Sequence, residues 1–349
     1  MAKVDTERTL TPRALNRALL ARQCIIERAR APLPRVLERI GGIQAQYAPS
    51  MYIGLWSRLE GFERQHLTRA LERRTVVQGT LMRATIHLVS AGDYWPFAVG
   101  IRRRLREWWI RVHQGIDEPR LRAAARRVRP QLAKGPMRQA DLDELLGKGP
   151  AMRNGVGLFL DLVRVPPSGT WERRRADIYA AAEDWLEPGD VREEEGVDRL
   201  VHRYLSGFGP APRTDIANWA GLPVADVAPA LERMALRRFR DVKGKELLDL
   251  PRAPLPDPDT PAPVRFLPTW DATLLVHARR TEILPEKHRP RVFNTKTPHS
   301  METFLVDGQV AGTWKYEKGR VRLAPFGRLD RATRRELEEE AERLAAFHA

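Results

Sequence analysis

A repeat with a 74-residue offset constrains this chain more than any other feature of its sequence. Pro136, Asp141, Leu142, Leu145 and Gly147 return as Pro210, Asp215, Ile216, Trp219 and Gly221. Each copy reads as a short helix that stops at a glycine and is followed by a second helix. The later copy, TDIANWAGLPVADVAPALERM, places the small Ala217 four residues before Gly221. A small side chain there lets two helices cross closely, and glycine takes the left-handed turn between them. The segment therefore predicts a helix-turn-helix. Two short strand-like runs follow each copy: Val163–Val165 with Trp171–Arg173, and Phe239–Val242 with Glu246–Leu250 around Lys243-Gly244. A helix-turn-helix followed by a hairpin is a winged helix.

The flanking segments fit the same class. Thr11-Pro12 starts a helix, with Leu15, Leu19 and Ile26 at helical spacing. Leu33 to Ile40 predicts a second helix that stops at Gly41-Gly42, and Glu63 to Arg74 predicts a third. Val76-Val77 and Ile86–Val89 read as short strands. Residues 251–263, PRAPLPDPDTPAP, form a proline-rich linker with no core-forming pattern. Beyond it, Val264–Phe266, Leu274–His277, Thr303–Val306, Val310–Lys315 and Val321–Leu323 read as strands, with Asp307-Gly308 as a tight turn. Arg331 to Phe347 alternates acid and base as a closing, solvated helix. The expected fold class is α+β. It comprises winged helices over 1–115, 116–188 and 189–252, then a C-terminal β region over 263–349.

Charge narrows the partner. Lys and Arg number 60 against 45 Asp and Glu, a formal net charge of +15 over 349 residues. Such a field attracts polyanions, and arginine in particular pairs bidentately with phosphate. The 42% hydrophobic content supports real cores and opposes disorder. The single cysteine, Cys24, excludes an internal disulfide and any cysteine-based zinc cluster, and its apolar helical setting reads as core. No histidine pair has metal-ligand spacing. Gly155-Val-Gly157 fails as a dinucleotide fingerprint, because Phe159 and Leu160 follow it. No metal and no cofactor are expected. The charged N-terminus MAKVDTERTL and the absence of a spanning apolar run predict a cytoplasmic, nucleoid-associated protein away from membranes.

The segment GGIQAQYAPSMYIGLWSRL carries the most specific chemistry. Gln44 and Gln46 are two apart, so in an extended chain both amides face one way. Gly41-Gly42 and Pro49 oppose a helix at this point. Two convergent amides offer carbonyl acceptors and NH₂ donors, although two glutamines holding loop backbone would show the same spacing.

Four ordered blocks resemble one family: IGGIQAQYAPSMYIGLWSRL, RATIHLV (83–89), FLPTWDATLLVHARRTEILPEKHR (266–289) and TFLVDGQVAGTWK (303–315). Together they are similar to the bacterial winged-helix DNA glycosylase superfamily that contains AlkZ and YcaQ, over nearly the whole chain. The resemblance implies tandem winged helices around a C-shaped basic channel, and excision of alkylated purines, including interstrand crosslinks. Its catalytic signature is Gln-x-Gln or Gln-x-Asp. Gln44-Ala45-Gln46 matches the first, AlkZ-like form. Glu282 departs from the family, which often has an arginine there.

Residue chemistry admits the reaction. Glutamine does not titrate, so neither amide is a general base in the usual sense. A purine alkylated at N7 is already cationic and leaves neutral without a protein acid. What helps is a placed water and a carbonyl dipole facing the oxocarbenium-like sugar. Gln46 is expected to position the water and Gln44 to hold it or the sugar, with the reverse assignment open. No lysine lies between Lys3 and Lys134, which favours a monofunctional enzyme leaving an abasic site.

Arg58, Arg83, His87, His277, Arg279 and Arg280 are expected to contact DNA. Arg83 and His87 are read as sharing a strand face, and Arg279 and Arg280 as phosphate ligands. Arg102–Arg104, Arg106 and Arg111, interleaved with Trp108 and Trp109, read either as a DNA track or as an amphipathic helix with its arginines in solvent. The helix over 225–237 carries acids and alanines where a major-groove reader would need Arg or Asn, so it is expected to be scaffold. The expected partner is double-stranded DNA containing alkylated purines, with no obligate protein partner. A non-enzymatic winged-helix regulator is the alternative, and it would give the two glutamines no role.

Overall fold

The computed structural model describes residues 8–147, 149–274, 278, 280–293 and 300–349. Strand β1 (Thr9–Leu10) leads into helix α1 (Pro12–Arg22). Thr11 caps α1: its hydroxyl accepts from the Ala14 N–H at 3.2 Å, and Pro12 takes the first helical position. Helix α2 (Leu33–Ile40) ends at Gly41, whose φ of 80° sends its N–H back to the Leu37 carbonyl. Strand β2 (Ile43–Gln44) and helix α3 (Ala48–Trp56) follow. Pro49 does not oppose this helix. It sits in the first turn of α3, where its missing N–H would have had no helical partner. Helix α4 (Arg64–Glu72), strands β3 (Val76–Thr80) and β4 (Ile86–Ser90), and the long helix α5 (Ala91–Val112) complete this part.

The first repeat copy runs through helix α6 (Glu118–Leu132), strand β5 (Met137–Arg138), helices α7 (Gln139–Leu146) and α8 (Pro150–Gly157), strands β6 (Leu162–Arg164) and β7 (Ile178–Ala181), and a short helix α9 (Ala182–Trp185). The second runs through helices α10 (Glu193–Phe208), α11 (Arg213–Ala220) and α12 (Val224–Arg233), then strands β8 (Arg237–Asp241) and β9 (Glu246–Asp249). The repeat is structural. Met137 pairs with Tyr179 of β7, and Ala211, at the equivalent position, bridges to Leu248 of β9. Gly147 and Gly221 both have positive φ, 82° and 74°.

One expected hairpin is corrected. β6 pairs with β7 rather than with Trp171–Arg173. Pro166 and Pro167 follow Val165 and carry no N–H for a ladder. The Ser168 hydroxyl then donates to the Val165 carbonyl and accepts from the Ile178 N–H, folding the intervening loop back on itself.

The C-terminal part holds strand β10 (Arg265–Leu267), helix α13 (Arg289–Val292), strands β11 (Thr303–Val306), β12 (Gln309–Glu317) and β13 (Arg320–Pro325), and helix α14 (Arg331–His348). β10 to β13 form an antiparallel sheet in chain order. The expected strand over 274–277 has its last three residues outside the described residues, and Leu274 itself lies in a turn.

Two sheets cross the expected unit boundaries. The order β2-β4-β3-β6-β7-β5 joins the first and second units, with β3 antiparallel to β6. β1 pairs in parallel with β8, joining the first unit to the third. The proline-rich segment is also more than a spacer. The Thr260 carbonyl accepts from Arg17 Nε at 2.7 Å, and the Pro254 carbonyl accepts from Arg22 Nε and Nη2 at 3.0 and 2.8 Å, which straps the segment along α1.

Arg22 and Asp249 are both fully buried and paired through two hydrogen bonds of 2.6 and 3.0 Å. Arg22 also donates to the Leu205 carbonyl, and Arg237 adds a second cation on Asp249. This knot ties α1, α10 and β9 together. Asp249→Ala would strand two guanidinium groups, and is expected to cost about 3–5 kcal/mol. Urea denaturation of wild type and variant checks this; a loss below about 1 kcal/mol would show that the knot carries no net stability.

Candidate active site

The Gln-x-Gln segment enters the six-stranded sheet at its edge. Gly41 and Gly42 both adopt φ near 80°, where a side chain would be strained. A Cβ on Gly41 would meet Phe208 and Trp219 at 3.3 and 3.4 Å, and one on Gly42 would meet the Leu88 carbonyl oxygen at 3.0 Å. The two glycines turn the chain out of α2 and lay β2 against β4, with Ile43 opposite Leu88 and Gln44 opposite His87. The ladder continues with the Ala45 N–H donating to the Ile86 carbonyl at 2.7 Å.

The two glutamines end in different settings. Gln44 is 5% exposed, and among the described residues its amide has no hydrogen-bond partner. Gln46 is exposed, and its Oε1 accepts from the Ile86 N–H at 2.8 Å. Gln46 thus continues the ladder with its side chain, which fixes the segment on β4. Both glutamines are anchored at Ile86-His87, one through the strand register and one through a side chain.

His87 is 3% exposed and shares a sheet face with Gln44 across β2–β4 and with Gly79 across β3–β4. The Tyr94 ring covers Gly79: a Cβ there would lie 2.7 Å from it. His87 Nδ1 lies 3.1 Å from the Thr85 carbonyl oxygen. Burial, with the Arg83 guanidinium nearby, pushes the imidazole down to about 3, so it is neutral at physiological pH.

Four of the expected DNA contacts need correction or fall away. Arg83 and His87 do not share a strand face, because β4 begins only at Ile86. Arg83 lies in a short 3-10 turn with φ 56°, a left-handed conformation that non-glycine residues rarely hold. Its guanidinium donates to the Trp219 carbonyl at the end of α11, and burial lowers it to about 10. His87 is only 3% exposed and lies within the sheet opposite Gln44, so it is placed beside the motif rather than as a phosphate ligand. Arg58 is also buried: it pairs with Asp271 through two bonds of 2.9 Å and donates to the Gly54 carbonyl at 3.0 Å. Arg280 is buried as well. Its guanidinium donates to the Tyr204 hydroxyl at 3.2 Å and lies 5.0 Å from the centre of the Phe208 ring. His277 and Arg279 lie outside the described residues.

The arginine run on α5 resolves into internal contacts. Arg102 pairs with Asp161 at 2.9 Å, Arg103 with Glu193 at 2.9 Å, and Arg104 with Asp226. Arg106 donates to the Leu158 carbonyl. These groups clamp α5 to both repeat copies. Asp271 fixes its turn, accepting from the Thr273 N–H and hydroxyl at 3.0 and 2.8 Å.

Tyr47 escaped the sequence reading. It is 39% exposed directly after Gln46, and Arg174 donates to its hydroxyl at 3.2 Å. An aromatic ring adjoining the Gln-x-Gln motif was the available signal. Among the described residues no group of three or more His, Cys, Asp or Glu side chains could hold a metal ion, and no helix is long and apolar enough to cross a membrane.

A family model described as DNA glycosylase AlkZ-like matches residues 37–347. Among solved structures, the Streptomyces sahachiroi DNA glycosylase AlkZ superposes with a TM-score of 0.82, at 17% sequence identity and over 97% of each chain. No curated protein matches the sequence.

Two outcomes follow from these environments. Burial opposes the charged form of Asp271, but the Arg58 charge and the hydrogen bonds outweigh it and lower its pKa. Its stabilisation is therefore complete above the unfolded value of about 3.9 and is lost as pH falls through the lower folded value. Arg58→Ala should cost about 3–5 kcal/mol of stability and leave the salt slope of DNA binding by the folded protein unchanged, as urea denaturation and a salt titration would show. For His87 the sign is opposite. The unfolded chain takes up a proton near pH 6.5 while the folded imidazole stays neutral until about 3, so stability falls as pH drops between these values. This one group should remove about 2 kcal/mol between pH 7 and 5. The loss should be smaller by that amount in His87→Gln, measured by urea midpoints at both pH values.

Proposed function

The chain belongs to the AlkZ-like DNA glycosylase family, and we propose that within it the protein excises cationic N7- and N3-alkylated purines from duplex DNA and leaves an abasic site. It is a DNA glycosylase, which removes the regulator alternative. The observation that carries the finer reading is the unpartnered, nearly buried Gln44 amide beside a Gln46 whose carbonyl is already engaged.

A cationic purine needs no acid to leave. Its positive charge already weakens the glycosidic bond, and the bond's electron pair neutralises the departing base. The developing charge is on the sugar. A fixed carbonyl dipole favours that charge most where water is scarce, because no solvent must reorient as the charge forms. Gln44 is nearly enclosed, and the β2–β4 register holds its backbone in place. Gln46 has one lone pair of Oε1 occupied by the Ile86 N–H, which favours the reverse of the two assignments left open by residue chemistry: Gln44 faces the water and sugar, and Gln46 holds the strand while its NH₂ group faces the DNA. The lack of any lysine between Lys3 and Lys134 supports hydrolysis over a lyase route. Bulky adducts and interstrand crosslinks that carry the same cationic linkage fall within this substrate class.

Incubation of the protein with duplex containing N7-alkylguanine, followed by hot alkali, should give cleavage at the modified base. Gln44→Ala should lower the single-turnover rate about 100-fold or more, and Gln46→Ala should lower it by a smaller factor. A neutral lesion in the same sequence should release little base. Unchanged rates in both glutamine variants would refute the role given to the pair.

A further inference from the structure

We propose that His87 is a third member of the site: its Nε2 accepts a hydrogen bond from the attacking water, alongside the Gln44 carbonyl. The inference rests on the glycosylase reading and names the group that orients its nucleophile.

The tautomer follows from geometry. The Thr85 carbonyl oxygen, 3.1 Å from Nδ1, can only accept, so the Nδ1 nitrogen carries the proton. Nε2 is then a lone pair. Among the described residues it has no hydrogen-bond partner, although the ring is only 3% exposed. An acceptor that no protein group fills is available to a solvent molecule. The strand register puts this ring directly opposite Gln44, on the same sheet face, where Cβ atoms lie roughly 4.5–5.5 Å apart. The Gln44 amide also lacks a partner. Two unfilled polar groups in adjacent ladder positions can be satisfied by one bridging molecule.

Water is suited to that place. A nucleophilic water needs two acceptors for its hydrogens, which leaves a lone pair pointing outward. Gln44 Oε1 and His87 Nε2 provide two. The Gln46 carbonyl serves less well, since the Ile86 N–H already occupies it. On the other side of His87 is Gly79, where the Tyr94 ring closes over the glycine, so the imidazole cannot swing away from Gln44 in that direction. Burial, with the Arg83 charge beside it, keeps the ring from becoming a cation, which would turn Nε2 from acceptor to donor.

The step balances without a further reactant. The glycosidic bond breaks, its electron pair passes to the cationic base, and the base leaves neutral. The water oxygen bonds to C1′ of the sugar, and one water proton passes to solvent. His87 orients the water and does not retain the proton.

Two substitutions separate this role from packing. In His87→Asn the amide reaches the Nδ1 position and can still donate to Thr85, but it presents nothing at Nε2. In His87→Gln the amide reaches the Nε2 position and restores an acceptor. Single-turnover release of N7-alkylguanine is measured at saturating enzyme, with duplex affinity and thermal midpoint measured beside it. His87→Asn should lose about 10- to 100-fold in rate with affinity unchanged, and His87→Gln should stay within about threefold of wild type. A wild-type rate in His87→Asn overturns the proposal, and so does an equal fall in both variants. If His87→Asn does not fold, the His87→Gln rate decides, and a tenfold fall in that folded variant overturns it. A wild-type protein that releases no base from any alkylated duplex removes the glycosylase reading of these substrates and this proposal together. An active wild type with an equally active His87→Asn removes this proposal alone.

Discussion

The site proposed for this protein depends on a strand two residues long. β2 has only Ile43 and Gln44, yet its pairing with Leu88 and His87 decides which side chains meet. A one-residue slip would move Gln44 to the other face of the sheet. The register is held from both ends. Gly41 and Gly42 turn through φ values that side chains would strain, in a space that Phe208, Trp219 and the Leu88 carbonyl leave just open. Beyond β2, Ala45 bonds the Ile86 carbonyl and the Gln46 side chain takes the Ile86 N–H. A side chain thus does the work of backbone, and the chain is free to turn into α3 immediately afterwards.

The basic composition has two destinations. Part of it gives the positive field that attracts a polyanion. Another part is inside. Arg17, Arg22 and Arg58 are fully or almost fully buried, and each spends its donors on carbonyls and carboxylates from distant parts of the chain. Guanidinium suits this because its planar fork can satisfy two partners at once. Such pairs add little net stability over apolar packing, but removing one partner strands the other. The family-like arginines at positions 58 and 280 are therefore interior joints of the molecule.

Local signals were legible in the sequence, and distant partners were not. The Thr11-Pro12 start, the glycine stop after Ile40 and the turn at Asp307-Gly308 depend on neighbouring residues only, and all three appear in the structure. The 74-residue repeat was readable because each copy has the same helix and strand order. The Gln-x-Gln segment was readable as extended, but its two amides were not readable as differently employed. That difference comes from Ile86, forty residues away. Arg58 meets Asp271 at a separation of 213 residues, and no short-range pattern announces such a pair. Arg83 looked like part of a strand because RATIHLV alternates, whereas contact with the end of α11 holds it in a left-handed turn instead.

The way the sheets are shared has a consequence for how the molecule can meet a double helix. A free wing is a loose hairpin that can probe a groove. Here β6 and β7 are interior members of the six-stranded sheet, and β8 lies between β1 and β9. Both hairpins are tied by backbone bonds to other parts of the chain, so neither swings as a free unit. Shared sheets of this kind make the parts move as one body, so a partner meets the hairpins at an orientation that the rest of the chain has already set.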